Sequence, residues 1–130
     1  MNETRKNNKK RILAVDDAAI ILQRIKDALE EHYSVITVNS GMRALKFLEI
    51  EKPDLILLDI RMAPKDGFET LREIRSMEDR ADIPVIMLTG MEDSKSVMEG
   101  FKLGICDYVL KPFTTKDLCE RINRALESSK

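Results

Sequence analysis

The sequence predicts a doubly wound α/β fold, a (βα)5 chain with a parallel sheet in the order 2-1-3-4-5 and helices on both faces. Three observations lead there. Five short apolar runs recur along the 130 residues. Segments with helical spacing of apolar residues separate them. Proline, glycine and capping residues stand where such elements should start and stop. Alternating strands and helices imply a parallel sheet covered by helices, and right-handed crossovers prune its topology. In such sheets ligands bind beyond the carboxyl ends of the strands.

The strand candidates are Ile12–Val15, Val35–Val38, Leu55–Leu58, Val85–Leu88 and Tyr108–Leu110. Each is too short for a helix, and most are continuously apolar, as in strands buried on both faces. After the first comes a stripe of Ile21, Ile25, Ala28 and Leu29 at helical spacing. Ala44, Leu45 and Leu48 form the second stripe, and Phe68, Leu71 and Ile74 the third. Val97, Met98 and Phe101 form the fourth, and Leu118, Ile122, Ala125 and Leu126 the last. Gly104 follows the fourth stripe, where a left-handed C-cap belongs. Thr114 precedes the fifth and can cap it. Gly100, inside the fourth stripe, weakens that helix unless packing requires it. Pro53 and Pro84 sit just before strands.

Length and composition fit one domain: 43% apolar, 35% charged and a net charge of −1. No strong basic field argues for direct contact with nucleic acid. Arg5, Lys6 and Lys9 face a single acid, Glu3, near the N-terminus, so residues 1–9 are expected as a disordered basic tail and 10–128 as the domain. No apolar run reaches the length of a membrane span and no secretory leader is visible, so a cytoplasmic protein is expected. Cys106 and Cys119 lack C-x-x-C spacing and are expected as reduced, buried thiols. His32, between the first helix and second strand, is expected at the surface.

The strand ends decide function. The first run ends in Asp16-Asp17, the third in Asp59, the fourth in Thr89-Gly90 and the fifth in Lys111-Pro112-Phe113. Three carboxylates at one edge repel. Two unit charges about 6 Å apart cost roughly 3 kcal/mol at an effective dielectric near 20. Carboxylate oxygens suit a hard divalent ion, and Mg²⁺ fits best because it keeps waters and leaves room for phosphate oxygens. Singly, each residue has a plain reading as a helix cap, a turn former or a surface charge. The joint pattern on four strand ends is what carries weight.

That ordered set, with Asp59-Ile60-Arg61-Met62, Asp66-Gly67 and Gly104–Phe113, resembles the receiver domain of two-component response regulators over roughly residues 10 to 127. The size is that of a stand-alone, chemotaxis-regulator-like member. The resemblance implies a signalling domain and not an enzyme, its chemistry limited to self-phosphorylation from a donor and loss of that group. It implies Asp59 as the phosphoryl acceptor. Asp17, Asp59 and the Arg61 carbonyl would hold Mg²⁺ directly, and Asp16 through water. Thr89 and Lys111 would contact phosphoryl oxygens, and the peptide before Pro112 would be cis. Thr89 and Tyr108 would switch a readout face made of the fourth helix, fifth strand and fifth helix. Arg61 and Met91 would flank the attacking water and tune the lifetime of the acyl phosphate. One departure is visible: Ala63 stands where the family usually has proline, and Pro64 follows, so a locally altered turn is expected.

The implied partners are a sensor histidine kinase or histidine phosphotransfer protein, a downstream protein target and, on phosphorylation, a second copy of the chain. With Lys130 soon after the fifth helix, a stand-alone regulator is the first expectation. A receiver fragment of a larger regulator and a phosphorylation-independent scaffold are the alternatives. A haloacid-dehalogenase-like phosphohydrolase would want Asp-x-Asp, and position 61 is Arg. A flavodoxin-like electron carrier shares the fold class but would want a hydroxyl- and glycine-rich loop where Asp16-Asp17 stand.

Overall fold

The computed structural model describes residues 9–90 and 94–128, the side chains of 94–97 excepted. Residues 1–8 of the expected tail therefore lie outside the described residues, as does Met91. The elements alternate: β1 (Arg11–Val15), α1 (Ala19–Leu29), β2 (Ser34–Val38), α2 (Gly41–Ile50), β3 (Leu55–Asp59), α3 (Gly67–Arg75), β4 (Val85–Thr89), α4 (Ser94–Lys102), β5 (Asp107–Leu110) and α5 (Thr115–Ser128). The five strands form one parallel sheet in the order β2-β1-β3-β4-β5, as expected.

Strand side chains point alternately to the two faces, and two cores result. On one face Leu13, Val15, Ile56, Leu58, Val85 and Met87 meet Ala44 and Leu48 of α2 and Leu71 and Ile74 of α3. On the other, Ile12, Ala14, Leu55, Leu57, Ile86 and Leu88 meet Ile25 and Leu29 of α1 and Leu118 and Ile122 of α5. Each large side chain so buried stabilises the fold by about 1.5–3 kcal/mol. β3 and β4 are buried throughout, whereas the edge strands β2 and β5 are partly exposed.

Caps set the helix ends. Ser40 accepts from the Arg43 N–H, and Thr114 Oγ1 accepts from the Asp117 N–H at 3.0 Å. Asp66 and Glu69 form a reciprocal capping box on α3. α4 closes with the Gly104 N–H donating to Phe101 O and the Ile105 N–H to Gly100 O. With Gly104 at φ +86° this is a Schellman ending. Gly100 has a packing reason: a Cβ there would lie 2.9 Å from Ile105 Cδ1.

Of the fourth stripe, Met98 is 66% and Phe101 45% exposed, so these two apolar side chains face outward. One expectation, the burial of both cysteines, needs correction. Cys106 is exposed and Cys119 half-buried; Cys106 lies in the irregular segment just before β5. His32 is exposed, as expected.

Candidate functional site

Register brings the strand ends together. Val15 pairs with Leu58, so Asp16 and Asp59 leave adjacent strands side by side. Asp59 pairs with Leu88, and Thr89 with Leu110, which places Thr89 and Lys111 on the next two strand ends. Oxygens of Asp16, Asp17 and Asp59 all lie within 4.8 Å of one another. Asp16 and Asp59 are buried, Asp17 is exposed, and Thr89 is buried.

Lys111 reaches across this cluster. Its Nζ lies 2.9 Å from Asp16 Oδ2 and 3.0 Å from Asp59 Oδ1. Burial alone would lower the pKa of this ammonium, but its contacts with Asp16 and Asp59 outweigh that and leave it raised. Asp59 is pushed up from 3.8 to about 6, first by burial and further by the charge of Asp16, with Lys111 pulling the other way. One ammonium between two buried carboxylates leaves the cluster short of positive charge.

The plain reading of Asp16 as the N-cap of α1 fails, because the N-cap is Ala18. Asp16 Oδ1 accepts from the Ala18 N–H at 2.9 Å. Its buried Oδ2 has the Lys111 ammonium nearby but no aligned hydrogen bond. A buried carboxylate oxygen without an aligned donor, beside an exposed second carboxylate, fits a hard cation entering from solvent. The residues therefore fit the metal that the pattern implies.

Neighbouring backbone is tightly placed. The Gly67 N–H donates to Ile60 O at 2.9 Å, and a Cβ on Gly67 would lie 2.2 Å from Asp59 O. Only a glycine lets the start of α3 sit so close to the end of β3. The Lys111 N–H donates to Thr89 O at 2.8 Å, and Thr89 Oγ1 donates to Gly90 O at 3.0 Å. The peptides Lys111–Pro112 and Ala63–Pro64 are both cis, so the Ala63 departure coincides with a second cis turn. Tyr108 is half-buried and meets the Phe101 ring edge-on at 6.1 Å between centroids. Arg61 is exposed at the mouth of a cleft it shares with Asp17, Met62 and Asp66. The contact of Lys111 with Asp16 was not anticipated, because no local pattern links residues so distant in the chain. Nor was the closeness of Gly67 to Asp59, for which the Asp66-Gly67 pair was the available signal.

Comparisons with known proteins identify the family and the fold. Residues 12–123 match the family model described as the response regulator receiver domain. The chain is 37% identical over 121 residues to the alkaline phosphatase synthesis transcriptional regulatory protein PhoP of Bacillus subtilis, covering 92% of this chain and 50% of that one. It thus spans about half the length of the curated relatives it matches. Its fold is similar to the chemotaxis response regulator CheY4 of Vibrio cholerae, with TM-score 0.85 and 28% identity over 91% of this chain and 99% of that one. It is also similar to the signal receiver domain of a signal transduction histidine kinase from Syntrophus aciditrophicus, with TM-score 0.84 and 33% identity over 93% and 92% of the two chains.

Proposed function

The chain belongs to the response regulator receiver domain family, and from that premise we propose that it takes a phosphoryl group on Asp59, with Mg²⁺, and signals through Thr89 and Tyr108. The observation that carries this reading is the buried Asp59 carboxylate, flanked by Asp16 and Asp17 and held 3.0 Å from the Lys111 ammonium. Receiver domains of response regulators are signalling domains phosphorylated by histidine kinases. The donor here would be such a kinase or a histidine phosphotransfer protein.

Phosphoryl transfer asks for position and charge neutralisation more than covalent help. An Asp59 oxygen attacks phosphorus in line and the bond to the donor's leaving group breaks. Asp17, Asp59 and the Arg61 carbonyl would hold Mg²⁺, with Asp16 acting through water; the ion supplies positive charge against the incoming anion. Lys111 is already beside Asp59 and can follow the new phosphoryl oxygens. Gly90 presents no side chain to obstruct them. The product adds about −1.5 to −2 charges at Asp59. Thr89, whose hydroxyl donates to Gly90 O, would turn it to a phosphoryl oxygen, and Tyr108 would follow. That would bias an existing equilibrium of the α4–β5–α5 face, toward a downstream protein or a second copy of the chain. Arg61, and Met91 outside the described residues, are assigned to slowing hydrolysis by hindering water. Replacing both with small residues should speed loss of the phosphoryl group.

A second reading follows from length. The chain corresponds to about half of its curated relatives, so the signal could pass to an output segment of the same polypeptide.

Incubation with acetyl phosphate and Mg²⁺, followed by intact mass measurement, tests the assignment. One phosphoryl adduct is expected, dependent on Mg²⁺ and absent in Asp59→Asn. An adduct that persists in the mutant would move the acceptor elsewhere. No adduct at all would favour a scaffold that works without phosphorylation.

A further inference from the structure

α4 begins a few residues after Thr89-Gly90 and ends against a residue of another helix. Arg75, the last residue of α3, donates from Nε to Leu103 O at 3.1 Å and from Nη2 to Gly104 O at 3.0 Å. These carbonyls lie just past the last residue of α4, where a helix end leaves acceptors without intrahelical partners. A cation there is also favoured by the helix dipole. The same guanidinium donates from Nη1 to Ala81 O and Ile83 O, both at 3.0 Å. One planar fork therefore joins the end of α3, the approach to β4 and the end of α4.

Other contacts hold the same end. Gly100 lets Ile105 and Phe68 press against the helix backbone, and Ile105 is 5% exposed. The Schellman bonds close the chain over them. Arg72, one turn before Arg75 on α3, pairs with Glu99 at 2.6 Å. Arg's rigid fork loses little freedom per bond formed, so it suits a fixed anchor.

Resting on the reading that Asp59 is phosphorylated, we propose that Arg75 is the pivot of α4. The signal reaches the helix at its Thr89 end, and the helix turns about Leu103 and Gly104 without sliding along the sheet. The change at the readout face then grows with distance from Gly104. Arg75 touches neither Asp59 nor the metal-binding carboxylates and acts as a positioning residue.

The experiment is backbone and arginine side-chain NMR on the whole chain, with acetyl phosphate and Mg²⁺ present, beside Asp59→Asn treated alike. On phosphorylation the amides of residues 94–98 should shift. Those of Leu103, Gly104 and Ile105, and the Arg75 Nε–H, should stay where they are. In Arg75→Met the phosphoryl adduct should still form, and the 103–105 amides should now shift with the rest of α4. Arg75→Lys, which keeps the charge and loses the fork, should resemble Arg75→Met. Wild-type shifts at 103–105 as large as those at 94–98 would overturn the pivot even if the variants did not fold. So would an Arg75→Met pattern identical to wild type. A chain that shows no mass adduct fails at the earlier step, which the spectrometer distinguishes, and the pivot falls with it.

Discussion

Asp59 is held in an environment that favours its proton. Its pKa in the fold is about 6 against an ordinary 3.8. The folded state therefore binds that proton more tightly than the unfolded chain. The stabilising contribution is fully present below about pH 3.8 and is lost as pH rises through about 6. Asp59→Asn stays neutral throughout and leaves Lys111 facing Asp16 alone. Without divalent cation, the mutant should be more stable than wild type near pH 7, on the order of 1–3 kcal/mol, and nearly equal near pH 4. Urea unfolding at the two pH values checks this, and a wild type that is the more stable at neutral pH would contradict it. Lys111→Met should act in the opposite direction. It leaves two buried carboxylates without their ammonium and should cost about 3 kcal/mol at neutral pH, part of it restored by millimolar Mg²⁺. The candidate residues were readable from the sequence because each terminates an apolar run. Their convergence on one sheet edge followed from the fold class, but the Lys111–Asp16 contact was not legible, because it depends on strand register that no local pattern encodes.

Among the elements, α3 has the tightest relation to the site. Gly67→Ala should favour the helix by intrinsic propensity and still disturb the protein, since the new Cβ would lie 2.2 Å from Asp59 O. A stability loss of about 1–3 kcal/mol is expected, together with phosphorylation slowed beyond what the lost stability explains. Stopped-flow or timed mass measurement at saturating Mg²⁺ would show the second effect, and a normal rate would remove Gly67 from the positioning of Asp59. Thr114→Ala removes the N-cap of α5 and should cost about 1 kcal/mol, with no change in phosphorylation rate. Helix existence was legible from apolar spacing, and the caps at Thr114 and Gly104 from residue type. The exposure of part of the α4 stripe was not legible. Met98 and Phe101 follow a core-like spacing yet are exposed, because periodicity marks an apolar face and says nothing about what covers it.

At the scale of the whole molecule, the domain is proposed as residues 10–128. The Lys10 carbonyl accepts from the Ser34 N–H at 2.9 Å, so ordered pairing begins there. A fragment of residues 10–128 should melt at the same temperature as the full chain and take the same phosphoryl adduct. A marked drop in melting temperature would assign the first nine residues a part in the fold. The order 2-1-3-4-5 was legible because short continuous apolar strands alternating with helices admit few right-handed arrangements. The exposure of Cys106 was not legible, because residue type alone suggests burial, whereas the residue lies in the connection just before an edge strand.

The strand order also sorts the sequences by hazard. Ile12–Val15, Leu55–Leu58 and Val85–Leu88 are short, uncharged and free of proline, the composition of segments that seed intermolecular sheets. All three occupy the interior of the sheet, while the rim is given to β2 and the four-residue β5, which are partly wet and begin with a serine and an aspartate. The native protein thus keeps its stickiest tracts away from its open edges. Unfolding releases them together, so clumping on heating should depend steeply on protein concentration, and a dilute sample should recover where a concentrated one precipitates.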